Sequence, residues 1–299
     1  MNILVIGGSY FLGRVFTMVA TNEHTLTLIN RGRYSMKELG VKEYVLDRND
    51  AEKIANLPYD DYDAVVDFCA YNSGDIKRII ENIPATIKKY IFISTVDVYE
   101  RGKNYAKLED APLSTIRYPG EIGDYIAGKI ELEKELKDIC KERGISYCIL
   151  RPSMIYGPYN YAQRESEYIR HIIKQRKIIA PVDSNGYFQL VYVKDVANAI
   201  MEVLKKDDKE MVYNISSSEI LYYDIFIKIL KKVSDIEFEI EYMAIEDILE
   251  NNILAPFPLT LEETEICDGS KITEECNFSY TTLRDGMKKT YNAFKPVFN

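Results

Sequence analysis

Residues 1–13 constrain this chain more than any other stretch. Met1-Asn-Ile-Leu-Val-Ile6 is a short apolar run, Gly7-Gly-Ser-Tyr-Phe-Leu-Gly13 follows it directly, and Arg14-Val-Phe-Thr-Met-Val-Ala20 continues with helical spacing. A strand, a glycine turn and a helix in that order build a phosphate cradle. Glycine lets the backbone approach a pyrophosphate, and the helix aims free N–H groups and the positive end of its dipole at it. A plain strand-to-helix turn uses the same pieces; the N-terminal placement favours the cradle, with Gly7, Ser9, Tyr10, Phe11, Leu12 and Gly13 as its members and a dinucleotide as its ligand.

Apolar strand-like runs recur at Asn2–Ile6, Thr25–Ile29, Glu43–Leu46, Ala64–Cys69, Tyr90–Ser94 and Ser146–Leu150. Helical patterns fill the intervals or follow at Gly13–Thr21, Asp75–Asn82, Asp124–Arg143, Glu165–Gln175 and Val193–Lys206. Near-continuous Val/Ile/Leu strands alternating with helices predict an α/β fold, a doubly wound parallel sheet covered on both faces. After Arg151-Pro152 the texture shifts to loops and short elements, including Tyr-Gly-Pro-Tyr-Asn at 156–160 and a turn at Asp183-Ser-Asn-Gly186. We expect a dinucleotide-binding domain over residues 1–157 plus about 187–215. A small C-terminal α/β substrate lobe would take about 158–186 plus 216–299.

The chain has 299 residues, enough for about two lobes at roughly 150 residues each. Its 38 basic and 47 acidic residues leave a net charge of −9, which argues against a dedicated nucleic-acid binder. No apolar stretch approaches the roughly 18 residues that span a bilayer, and no basic segment precedes the first apolar run, so a cytoplasmic location is expected. The five cysteines form no CxxC pair and only His24 and His171 are available, so reduced thiols and no metal site are expected.

The second strand ends Leu28-Ile-Asn30-Arg31-Gly32-Arg33. An acidic residue there would hold the adenosine ribose hydroxyls; Asn30 replaces it, and Arg31 and Arg33 either suit a 2′-phosphate, which favours NADP with NAD as the alternative, or merely solvate a loop. Asp47-Arg48 closes the third strand, where a carboxylate can accept from the adenine amino group or cap the strand end.

Tyr125 and Lys129 have the i,i+4 spacing that places two side chains on one helix face. A neighbouring ammonium is expected to draw the tyrosine pKa down from about 10, so that Tyr125 exchanges a proton with a substrate hydroxyl or carbonyl. Tyr99…Lys103 and Tyr291…Lys295 share the spacing, but only Tyr125 opens a long helix after the fifth strand. That strand ends Ser94-Thr95, and we expect Thr95 to polarise the substrate oxygen, with Ser94 as runner-up or both as strand-end caps.

These pieces together resemble the extended and atypical short-chain dehydrogenase/reductase superfamily, the NAD(P)-dependent epimerases and dehydratases of sugar nucleotides. The matching motifs are residues 7–13, Asp67-Phe-Cys-Ala70, Ser94-Thr95-Val-Asp97-Val-Tyr99, Tyr125…Lys129, Leu150-Arg-Pro-Ser-Met-Ile-Tyr-Gly-Pro158 and Val191-Tyr-Val-Lys-Asp195, with a weaker echo in Asp268-Gly-Ser-Lys271 and Thr282-Leu-Arg-Asp-Gly286. The resemblance implies a Rossmann domain and catalysis by Thr95, Tyr125 and Lys129, with Lys129 also holding the nicotinamide ribose. It further implies cofactor contacts from Cys69, Ala70, Ser94, Pro152 and Ser153, and substrate contacts from Tyr71, Asn72, Asp97, Tyr156 and Gln189. Val191–Asp195 would end the last core strand. The chain departs at Tyr10, where extended members have a glycine; at Phe188-Gln189-Leu190, where many epimerases carry Arg-Asp-Phe and use the arginine for a nucleotide diphosphate; and at Asn30.

The leading expectation is a cytoplasmic NAD(P)-dependent epimerase or dehydratase-like enzyme that moves a hydride transiently on a sugar nucleotide or similar hydroxylated substrate. The alternatives are an NADPH-dependent reductase of a keto-sugar or other carbonyl, and a non-catalytic dinucleotide-binding regulatory or RNA-binding protein. The helix that follows Tyr125 would pack in a homodimer or, by default, place Ile130, Leu132, Leu136 and Ile139 in the core.

Overall fold

The computed structural model describes residues 1–101 and 106–299; Lys103, the partner in the Tyr99…Lys103 spacing, lies outside the described residues. Seven strands form the central sheet: β1 (Asn2–Ile6), β2 (Thr25–Asn30), β3 (Lys42–Val45), β4 (Ala64–Asp67), β5 (Lys89–Ile93), β6 (Ser146–Pro152) and β7 (Glu210–Ile215). Every neighbouring pair is parallel, in the order β3-β2-β1-β4-β5-β6-β7. The order reverses between β1 and β4, and in open α/β sheets ligands bind at the carboxyl ends of strands beside such a switch point.

Alternate residues of β1 feed two different cores. Ile3 and Val5 join one apolar cluster, Leu4 and Ile6 the other, as the period of a strand requires when both faces are covered. One face carries α1 (Phe11–Ala20), which packs on a later helix, Val193–Leu204; the other carries Asp75–Asn82 against the long helix Gly120–Arg143. Named in chain order after α1, these are α2 (Asp75–Asn82), α3 (Gly120–Arg143), α4 (Glu165–Gln175), α5 (Val193–Leu204), α6 (Tyr223–Val233) and α7 (Leu283–Phe298). Leu132, Leu136 and Ile139 of α3 are buried, the core placement of that stripe.

A second layer grows from the same core rather than from a linker. Lys177–Pro181 pairs in parallel with Glu239–Met243, α7 packs on α4 and α6, and Phe188 stacks on Phe257 at 4.3 Å between ring centres with Phe226 edge-on to Phe257. These residues belong to the cluster that lines the α1/α5 face of the sheet.

Two expectations are corrected. Val191–Asp195 does not end the last core strand: Leu190–Tyr192 pairs with Met154–Tyr156 outside the sheet, and α5 begins at Val193. The seventh strand, Glu210–Ile215, lies outside the expected strand runs, because its exposed Glu210 and its polar Asn214 blunt the apolar signal. Asn214 is nonetheless fully buried, donating to the Lys107 and Asp268 carbonyls and accepting from the Tyr99 hydroxyl.

Candidate active site

A cleft of about 660 Å³ runs along the carboxyl ends of β1, β2, β4 and β5, beneath the loop that leads to α4. At one end β1 delivers Gly7, whose φ of +84° only glycine adopts without strain. A Cβ on Gly13 would stand 2.3 Å from the Gly7 carbonyl oxygen, so the turn closes only with glycine there. No side chain caps the start of α1 and its first turn holds no acid, so its terminal N–H groups stay available where Phe11, Leu12 and Gly13 line the cleft. That cradle fits an anionic diphosphate.

Tyr10 fills its place with an aromatic ladder. Its ring stacks on Tyr34 at 5.4 Å and on Tyr161 at 4.9 Å, Phe11 meets Tyr161 edge-on, and the Arg33 guanidinium lies 5.5 Å from the Tyr34 ring centre. The side chain that replaces a glycine thus ties the phosphate loop to the loops after β2 and before α4. Of these residues Tyr34 and Tyr161 carried no sequence signal; they sit in loops without period.

Asn30 is buried with its amide committed: the side-chain oxygen accepts from Gly32 N and the nitrogen donates to Glu43. Arg31 and Arg33 are exposed at the cleft rim, and Asp47 lines it. Arg48 also lines the cleft, but its guanidinium forms a bidentate pair with the fully buried Asp67 and donates to the Asp75 carbonyl, so it braces the floor. Asp67 also accepts from the Tyr90 hydroxyl and from Cys69 N. Burial opposes the Asp67 charge, yet Arg48 and the hydrogen bonds hold its carboxyl below the usual carboxylate range.

At the other end Thr95, Tyr125 and Lys129 line the same cleft with Ser94, Asp97, Tyr71, Asn72, Pro152 and Ser153. Thr95 donates to the Asp97 carboxylate at 2.8 Å and accepts from Asp97 N, with Tyr125 lining the cleft beside it. Ser94 is otherwise occupied: its hydroxyl donates to Glu133 at 2.7 Å, deep behind the strand end. The choice between the two hydroxyls is therefore made by Glu133, which Arg151 grips through Nε at 2.9 Å and Nη2 at 2.6 Å while donating to the Tyr99 hydroxyl. Glu133 stands four residues after Lys129 on the same face of α3, a spacing that marks it in retrospect.

Lys129 is 2 % exposed, and its Nζ donates to the Ala70 carbonyl at 2.9 Å and the Ile93 carbonyl at 2.7 Å. An ammonium has three donors, so one remains. Burial pulls its pKa down to about 8 against the attraction of Asp67. The expected depression of the Tyr125 pKa is not found. Burial and the neighbouring Asp97 push that phenol up, while the Thr95 hydroxyl and the Arg164 charge act in the opposite sense.

Three further placements differ from expectation. Tyr156 is 1 % exposed, packed on Tyr192 and pressed against Gly286, where a Cβ would stand 1.9 Å from its hydroxyl; it is core. Gln189 is buried, its amide donating to the Ser217 and Cys267 carbonyls and accepting from Cys267 N, so it offers nothing to a substrate. Ala70 does not line the cleft and acts through its carbonyl on Lys129. Ser9 and Cys69 line the cleft, and so do Met154, Ile155 and Arg164, which the sequence reading did not single out.

Residues 76–216 match the model of the NAD dependent epimerase/dehydratase family. The chloroplast stem-loop binding protein of 41 kDa b from Arabidopsis thaliana is 27 % identical over 252 residues, covering 77 % of this chain and 62 % of that protein, so the chain spans about three fifths of that relative's length. A UDP-N-acetylglucosamine 4-epimerase from Methanobrevibacter ruminantium superimposes with a TM-score of 0.78 at 20 % identity, covering 99 % of this chain and 98 % of that one. The UDP-glucose 4-epimerase of Thermus thermophilus, solved as a complex with NAD, gives a TM-score of 0.74 at 16 % identity over 99 % of both chains. Among the described residues no helix is long and apolar enough to cross a membrane, and no group of metal ligands is found.

Proposed function

We propose that this chain, whose residues 76–216 match the model of the NAD dependent epimerase/dehydratase family, is an NAD(P)-dependent enzyme that epimerises or otherwise transforms a sugar nucleotide or similar hydroxylated substrate. The carrying observation is the meeting of Thr95, Tyr125 and Lys129 in one cleft with the uncapped start of α1. The dinucleotide supplies a hydride acceptor and donor at its nicotinamide. Tyr125 would take the proton of the substrate hydroxyl and return it; Thr95 would donate to the same oxygen by turning its single O–H away from Asp97; Lys129 would hold the nicotinamide ribose with its remaining N–H. The phenol begins above its ordinary pKa, so the ionised form depends on positive charge near it, of which Arg164 is one source.

Arg31 and Arg33 on the cleft rim, with Asn30 in place of an acid, support NADP over NAD and favour a second reading, a reductase that stops after one hydride transfer. Mass spectrometry of what the denatured protein releases separates the two: retained dinucleotide fits a self-regenerating epimerase or dehydratase, an empty protein a reductase. Tyr125→Phe is expected to abolish turnover of nucleotide sugars while leaving dinucleotide affinity within a few-fold. A fully active variant refutes the mechanism.

A further inference from the structure

β4 ends in a charge that faces neither water nor the cleft. Asp67 is fully buried and lies outside the cleft lining, yet its carboxylate is crowded with donors. Arg48 grips both oxygens, at 2.7 and 2.9 Å, Tyr90 donates its hydroxyl at 2.6 Å and Cys69 its backbone N–H at 3.0 Å. A buried ion pair adds little net stability over apolar side chains of the same volume, so stability alone does not account for its place here. Arg48 also donates to the Asp75 carbonyl at 2.7 Å, and the Asp75 carboxylate accepts from the backbone N–H groups of Tyr71 and Asn72. The loop 67–75 is thereby stapled at both ends.

The middle of that loop receives Lys129. Its ammonium donates to the Ala70 carbonyl on the loop and to the Ile93 carbonyl at the end of β5, and α3 comes so close that a Cβ on Gly128 would stand 2.2 Å from the Tyr71 carbonyl oxygen. The rings of Phe92, Tyr71 and Tyr125 lie 4.7, 4.8 and 5.7 Å from Nζ. All of these partners are neutral, and among the described residues no carboxylate forms an ion pair with Lys129. The charged and titratable groups around it are Asp67 and Cys69 on the loop, Arg48 behind the loop and Glu133 one turn along α3. The Cys69 thiol is pushed up to about 11 by burial and stays neutral, and Glu133 is held by Arg151. Asp67 attracts the ammonium more strongly than Arg48 repels it.

We propose that Asp67 is a positioning residue for Lys129: its carboxylate fixes the loop that presents the Ala70 carbonyl and is the counter-charge against which the buried ammonium is held. It does so from behind the cleft, without touching dinucleotide or substrate. A lone carboxylate at that depth would be protonated; gripped by Arg48 it stays ionised and keeps a residual attraction for Lys129. The inference deepens the proposed function and rests on it for what Lys129 does at the nicotinamide ribose, whereas the link between Asp67 and Lys129 stands without it.

The test follows the ammonium itself: the full chain, isotopically labelled at lysine Cε and free of dinucleotide, is titrated by NMR. The Lys129 resonance, assigned by its loss in Lys129→Met, is expected to titrate near pH 8 in the wild type and at about pH 7 or below in Asp67→Asn, the effect of losing an opposite charge close by. Arg48→Met combined with Asp67→Asn replaces the buried pair with uncharged groups and decides the matter where the single variant does not fold; because Asp67 outweighs Arg48, it is expected to move the resonance the same way by less. A side chain that merely kept the core tight would, when lost, admit water and send the titration up toward 10.5. The inference is overturned if Lys129 titrates at or above its wild-type pH in the folded variants. A downward displacement in a chain that turns over no nucleotide sugar upholds the inference and refutes the proposed function instead.

Discussion

Replacing Lys129 with methionine tests the floor of the active site through a signature that only this side chain can produce. In the folded chain burial brings its pKa to about 8, from an ordinary value of 10.5. Such a gap means that holding the ammonium charged at pH 7 costs about 3 kcal/mol, with no discount for solvent because the side chain is buried. Between pH 8 and 10.5 the unfolded chain binds the Lys129 proton and the folded chain does not, so this group makes stability rise with pH. The variant removes the cost but strands the Ala70 and Ile93 carbonyls, each worth on the order of 1–2 kcal/mol, so the two effects nearly cancel at neutral pH. Relative to the variant, the wild type is therefore expected to gain about 2–3 kcal/mol between pH 7 and pH 10. The assay is urea denaturation of both proteins at each pH without added dinucleotide; taking the difference removes the titration of the many tyrosines. A difference flat to within about 1 kcal/mol refutes the buried-ammonium reading.

Other expectations follow from single contacts. Glu133→Gln leaves the buried Arg151 charge uncompensated and should destabilise the chain by about 3–5 kcal/mol in urea unfolding, a loss that an exposed ion pair could not produce. Gly13→Ala drives a Cβ against the Gly7 carbonyl and is expected to lower dinucleotide affinity at least tenfold by fluorescence titration. Tyr10→Gly removes the stack on Tyr34 and Tyr161 and should speed dinucleotide release in stopped-flow traces; an unchanged rate separates the ladder from cofactor retention. With a net charge of −9, stem-loop RNA should not bind at physiological salt, and salt-sensitive retention would assign the tyrosine–arginine ladder to RNA.

How legible this site is from sequence follows the distance over which each residue acts. The β1–α1 cradle is local: apolar period, glycine turn and helix start sit within thirteen residues, and their geometry follows from φ constraints and helix-end chemistry alone. Tyr125 and Lys129 are equally local, one helical turn apart, and their shared cleft could be read from that spacing and the preceding strand. What one spacing cannot carry is environment. The same i,i+4 pair that promised a depressed tyrosine pKa sits where burial outweighs the ammonium, because Lys129 is turned to two backbone carbonyls that only the assembled sheet brings near. Tyr156 and Gln189 fail for the same reason, since their motif positions are correct along the chain while Gly286 and Cys267, more than 70 residues away in sequence, decide where they point.

The residues that the sequence hid share one physical trait: each acts by completing a charge or a surface begun elsewhere. Glu133 has meaning only against Arg151, and the pair in turn removes Ser94 from contention as the group that polarises substrate. Tyr34 and Tyr161 have meaning only once Tyr10 stands where a glycine is usual, so the departure that looked like a defect in the phosphate loop becomes the middle of a ladder. Arg164 is the inverse case, a charge that nothing in the described chain completes. Glu133 and Arg151 satisfy one another and therefore build structure, whereas Arg164, which lines the cleft with Thr95 and Tyr125, keeps a buried Nε without a partner.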